Sequence, residues 1–146
     1  MRRRQQIELL TDANGIPIAV AVDAANASEV AMGLAVLTMA LVTLPRKPGK
    51  PIPVLGDRGY DCDDLRLRLK RRGLVLVAKH RSNRVKPRTS DPRRERRLKR
   101  RWKVERSNAW LHSYRRAVTR HEKSVNRFEG FVSLACAFMA QGKIIK

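Results

Sequence analysis

The 146-residue chain carries 33 Lys and Arg against 13 Asp and Glu, a formal net charge of +20 and a pI near 11.5. That excess goes beyond what solubility needs and points to a polyanionic partner, nucleic acid before a membrane surface. Two cysteines far apart and outside any CxxC spacing exclude a disulfide scaffold and indicate a reduced, cytosolic protein, and the longest uncharged run, 30–44, is shorter than the ~20 residues that span a bilayer.

At this size the expectation is a single domain spanning 1–146. Ile7 to Leu10 and Ile16 to Val22 are apolar, β-branched runs separated by Asp12-Ala13-Asn14-Gly15, which predicts an antiparallel hairpin in which Asp12 bonds its own turn. Asn26 or Ser28 then caps a helix to about Thr43, with Ala31, Leu34, Ala35, Thr38, Met39 and Val42 as its apolar stripe and Leu37, Ala40 and Leu41 beside it; so apolar a helix should be buried. Pro45, Pro48, Pro51 and Pro53 mark a loop kept wet by Lys47 and Lys50.

The strand ending at Val54 and Leu55 runs into GDRGYD, which sets Asp57 at the strand's carboxyl end. Such an end is a common site position in sheets, but Asp57 has a second reading, as cap of the helix from Tyr60 to Arg72 that Asp61, Asp63 and Asp64 open and Gly73 terminates. LVLVA, 74–78, is a further strand. An exposed basic loop, 79–94, holds Arg81 and Arg84, and a long helix is expected from Arg93 to about Tyr114, opening on Arg93, Arg94, Arg96 and Arg97. The positive charge is concentrated from Lys79 to Arg106, with smaller clusters at Arg2 to Arg4 and Arg66 to Arg72. A last helix, Ser124 to about Gln141, places Phe128, Phe131, Val132, Ala135, Phe138 and Met139 toward the core. Strands alternating with helices make the class α/β, with mixed strand directions.

On the long helix, Leu98, Arg101, Glu105, Asn108 and His112 share one face, so Glu105 is a lone carboxylate among cations. Pairing with Arg101 on a solvated surface and a role in chemistry are both open to it.

These motifs together resemble the catalytic region of bacterial insertion-sequence transposases of the DDE type, in the insertion-sequence-five-like group. The resemblance rests on the TDANGIPIAV hairpin, the AANASE segment, GDRGYD, RSNR in the basic loop, and WKVER followed by RRAVTRHEK, in the same order and spacing. It implies a ribonuclease-H-like mixed sheet with flanking helices, and makes Asp57 and Glu105 the second and third acidic residues, catalytic and metal-ligating, for Mg²⁺ or Mn²⁺. Arg101 matches the signature Arg four residues before that Glu; Leu98 replaces the signature Tyr and His112 the signature Lys.

The family's first Asp lies on a strand before the hairpin, and here only 1–5 precede it. The resemblance therefore implies a partial catalytic domain lacking the first strand and inactive alone, which an upstream companion polypeptide would complete. DNA contacts are expected from Arg81, Arg84, Arg93, Arg94, Arg96, Arg97, Arg101 and His112, in a nucleoid-associated bacterial protein able to form a homo-oligomer and without a membrane partner. A non-catalytic nucleic-acid-binding protein and a non-functional gene fragment are the competing readings.

Overall fold

The computed structural model describes residues 5–24, 28–40, 49–89, 91–122 and 124–145. The Arg2–Arg4 cluster, the Asn26 cap, the expected helix end at 41–43 and the loop residues 45–48 lie outside them. The chain divides into two compact units, one formed by 1–43 with 102–146 and the other by 44–101.

In the first unit, β1 (Gln5–Thr11) and β2 (Pro17–Ala24) pair antiparallel. The turn is the one the sequence predicts: Asp12 Oδ1 accepts from the Asn14 and Ile16 N–H groups at 2.8 Å, and Gly15 takes φ +78°. Register sets Ile7 opposite Val22 and Leu9 opposite Val20, so these four share one face. That face packs with Leu111, Ala117, Phe128, Val132, Ala135, Cys136 and Met139 into the core.

Helix α1 (Glu29–Ala40) packs on both strands, and the Ser28 carbonyl accepts its first hydrogen bond, from Met32. Its buried residues are Met32, Val36, Leu37 and Ala40, whereas Ala31, Ala35 and Thr38 are exposed and Met39 is 53% exposed. The expected stripe is thus rotated. In a helix apolar nearly all round, composition does not mark the inward face, and contact with the hairpin decides it.

In the second unit, β3 (Ile52–Leu55) pairs parallel with β4 (Leu74–Val77), giving the mixed strand directions expected. Between them run a 3₁₀ turn (Arg58–Tyr60) and α2 (Asp63–Arg71), whose Leu65 and Leu69 are buried with Leu74, Leu76, Val77 and Ala78. Gly73 ends α2 at φ +75°.

The long helix expected from Arg93 to Tyr114 is instead broken. Asp91 caps α3 (Pro92–Glu95), a 3₁₀ segment covers Arg96–Arg100, α4 is Trp102–Leu111, and α5 is Arg115–Val118. No residue of α3 or the 3₁₀ segment is buried, so packing contributes little to holding this cation-rich stretch in one α-helix. Of the expected polar face only Glu105 and Asn108 lie within α4; the His112 N–H continues it by donating to the Asn108 carbonyl.

Helix α6 (Val125–Ile144) buries Phe128, Val132, Ala135 and Met139 as expected, and adds Cys136. Phe131 is only half-buried, with the Arg116 guanidinium 4.7 Å from its ring centre, and Phe138 is 52% exposed, because both flank the core stripe rather than lie in it. Among the described residues no helix is long and apolar enough to cross a membrane.

Two glycines with the same backbone shape test different contributions. Gly73→Ala meets open space and carries only left-handed strain, an expected loss of about 1 kcal/mol. Gly15→Ala adds a Cβ 3.0 Å from Ser107 Oγ and 3.1 Å from the Lys103 carbonyl, so about 2–3 kcal/mol is expected. Urea unfolding of both variants checks the order, which equal losses would contradict.

Candidate catalytic turn and nucleic-acid interface

Asp57 follows β3 after the single residue Gly56. It is exposed, and its Oδ1 caps the 3₁₀ turn by accepting from the Gly59 N–H at 2.7 Å. The cap and site readings are therefore compatible, since capping occupies one lone pair of a carboxylate that has about four acceptor positions. Gly56 packs against Tyr60, where an added Cβ would stand 3.1 Å from the ring.

Four residues on, Asp61 is a carboxylate of the opposite kind, its side chain 2% exposed. Its Oδ1 accepts from Arg66 at 3.0 Å and His80 at 2.8 Å and faces Arg84 at 3.5 Å; its Oδ2 accepts from the Arg81 N–H at 2.8 Å. Burial alone would raise the Asp61 pKa, but the Arg81 N–H, the Arg66 guanidinium and His80 together outweigh it and bring it down to about 2. His80 Nε2 accepts from the Thr89 N–H at 3.1 Å, so the ring proton sits on Nδ1 and is donated to Asp61. Arg66 also donates to the Leu76 and Ala78 carbonyls, tying α2 to the end of β4.

This network holds much of the basic loop in place. Arg84, its side chain 10% exposed, donates to both carboxylate oxygens of Asp63 at 2.9 and 3.0 Å and to the Pro87 carbonyl. The Arg81 guanidinium donates to the Arg58 and Gly59 carbonyls at 3.2 and 2.8 Å. Two arginines expected to meet DNA are thus engaged inside the unit, Arg81 fixing the turn that carries Asp57 while remaining exposed itself. Arg93, Arg94, Arg96 and Arg97 are exposed; Arg94 pairs with Asp91 at 3.6 Å, a surface contact of small worth. Arg101 is half-buried just before α4, and His112 is exposed just after it.

Glu105 is exposed on α4, in the first unit, whereas Asp57 belongs to the second. The hairpin turn docks on α4. Ser107 Oγ, itself buried, lies 2.6 Å from the Gly15 carbonyl, Lys103 Nζ donates to the Ala13 carbonyl at 2.6 Å, and Lys143 Nζ donates to the Asn14 and Gly15 carbonyls at 3.1 and 3.2 Å. Neither these contacts nor the Asp61 network is visible in a linear reading. The signal in the chain is GDRGYD itself, whose second Asp sits where helix opening also accounts for it.

Exposed carboxylates are oxygen donors of the kind that hard divalent cations prefer. Among the described residues no group of three or more His, Cys, Asp or Glu gathers to hold an ion. Asp57 and Glu105 are each exposed, so each offers oxygen donors of this kind to solvent.

Over residues 2–140 the chain matches the family model described as the transposase DDE domain. It is also 32% identical over 136 residues to a protein named as the transposase for insertion sequence element IS402, from Burkholderia cepacia; the match takes in 90% of this chain and 60% of that relative. No solved structure matches. With a family model that matches nearly its whole length and a relative of this identity, the chain belongs to the DDE transposases of bacterial insertion sequences.

Asp61→Asn removes one partner from a buried network and should cost about 3 kcal/mol. Because the folded pKa of Asp61 lies below its ordinary 3.8, its contribution is complete above that value and is lost as pH falls toward about 2. Acid titration followed by circular dichroism should show the native chain losing this stability between those limits and the variant losing less there; parallel curves would contradict the assignment.

Proposed function

We propose that this chain supplies the DNA-gripping surface and two carboxylates, Asp57 and Glu105, to a transposase that cleaves and joins phosphodiester bonds with divalent metal. The observation that carries the proposal is Asp57: an exposed carboxylate at the carboxyl end of β3, on a turn whose carbonyls Arg81 grips. When bound, Mg²⁺ or Mn²⁺ supplies Lewis-acid activation of a water or 3′-hydroxyl and stabilises the leaving oxygen. The protein's share is positional. Asp57 and Glu105 present oxygen ligands from a strand end and a helix, and Arg93, Arg94, Arg96 and Arg97 neutralise phosphates without reading sequence.

A third carboxylate is proposed to come from a companion strand carrying the family's first Asp. Each sheet has two strands among the described residues, so each strand has an edge on which a further strand can pair.

DNA affinity should fall with salt, with a slope of about −0.9 per phosphate neutralised, and replacing Arg93, Arg94, Arg96 and Arg97 with Ser should flatten it. Binding insensitive to salt would overturn the DNA reading. Mg²⁺-dependent cleavage is expected only when the Asp-bearing strand is added, and Asp57→Asn or Glu105→Gln should lower it by a hundredfold or more, on the order of what misplacing a reacting group costs. Strand transfer by the 146-residue chain alone would overturn the companion requirement.

A further inference from the structure

The docked hairpin turn leaves a surface pocket of about 460 Å³ lined by Arg106, Ser107, Trp110, Gly142 and Lys143, all within the first unit. The volume lies in the range of small-ligand sites. Its chemistry is an aromatic wall between two cations. Trp110 packs one side against the core, and Lys143 Nζ stands 5.8 Å from its ring centre. Two of the three Lys143 donors go to the Asn14 and Gly15 carbonyls, which fix the ammonium in place and leave the third for a ligand.

Arg106 is the less committed cation. Among the described residues its guanidinium has no carboxylate or carbonyl partner and lies 4.9 Å from the ring centre of Trp102, which is 50% exposed. Trp102, Arg106 and Trp110 follow at intervals of four on α4, so aromatic, cation and aromatic share one side of the helix. Gly142 keeps the wall open: a Cβ there would already touch the Trp110 ring at 3.8 Å. Ser107 contributes shape only, its hydroxyl being engaged with the turn.

A planar aromatic surface beside cations is how proteins hold a nucleotide outside a duplex, the base stacking and the phosphate meeting the charge. We propose that this pocket is a subsite for one unpaired nucleotide of the DNA, with its base on Trp110 and its phosphate between Arg106 and Lys143. The proposal rests on the DNA-binding reading and adds to it a place where a single base is held, on the helix that carries Glu105 but around from it on another side. A strand end or nick is the natural source, since a base already free of its duplex enters at least cost.

The test uses the full chain with Trp102→Phe, in which Trp110 is the one remaining tryptophan of the two. Titration with single-stranded oligothymidylate, followed by DNA anisotropy and by tryptophan emission, should show binding with strong quenching of Trp110. An abasic oligomer of equal length and charge should bind through its phosphates and quench little. Lys143→Ala and Arg106→Ala should each weaken oligothymidylate about tenfold at fixed salt, the scale of losing one good contact at a stacked base. Gly142→Leu, which fills the pocket and favours the helix, should abolish quenching with the charge unchanged. Oligothymidylate that binds while Trp110 emission stays constant would overturn the subsite and leave the DNA reading standing. Equal quenching by the abasic oligomer would also overturn it. Failure of every oligonucleotide to bind would overturn both.

Discussion

A buried anion ties together the second unit of this positively charged chain. With a net charge of +20, cations that approach one another in a compact unit repel unless a carboxylate stands among them. Asp61 is that carboxylate, and Asp63 extends it. Together they gather Arg66, His80, Arg84 and the Arg81 N–H, so the strand end, the first turn of α2 and the basic loop are fixed to one another. Hydrogen bonds on both oxygens of Asp61 offset its desolvation, which an isolated buried pair would not achieve.

The same sorting separates cations that build the protein from those available to a partner. Arg66 and Arg84 are largely covered, and Arg81 is divided between the turn and solvent. The exposed cations of α3 and the 3₁₀ segment have few acids beside them and bury nothing, so their charge is directed outward. In the first unit neutral backbone carbonyls have the corresponding role. The carbonyls of the hairpin turn receive Ser107, Lys103 and Lys143, joining residues 92 positions apart at the Gly15–Ser107 contact and bracing the helix that carries Glu105.

Features set by local chemistry were legible in the sequence. The Asn14-Gly15 turn, the Asp12 bonds, Gly73 as helix terminator and the two short apolar strands each follow from a few adjacent residues. The inward face of α1 was not, and on α6 the expected set ran too wide, because Met39 and Phe138 are as apolar as the residues that are buried. The break in the long helix was hidden for a related reason: a run such as RRLKR has good helix propensity residue by residue but no face to bury. Asp57 and Glu105 were legible as candidates through motif resemblance. The engagement of Arg81 and Arg84 was not, since their partners lie 21 to 23 residues earlier in the chain.

The neighbouring acids of GDRGYD also explain how a carboxylate can remain available in such a field. A cation settled beside Asp57 competes with a divalent ion for the same oxygens. Arg66 and Arg84 are held instead by Asp61 and Asp63, and Arg81 is turned onto backbone carbonyls of the same turn. Among the described residues Asp57 accepts from one backbone donor, Gly59, on one oxygen. On the proposed reading, the acids that do no chemistry matter because they withdraw from the strand end the charges that would otherwise neutralise its ligand. Removing Asp61 would then do two things: loosen the loop and release arginines toward Asp57. The second effect distinguishes a carboxylate that only fills a core from one that guards the ligand beside it.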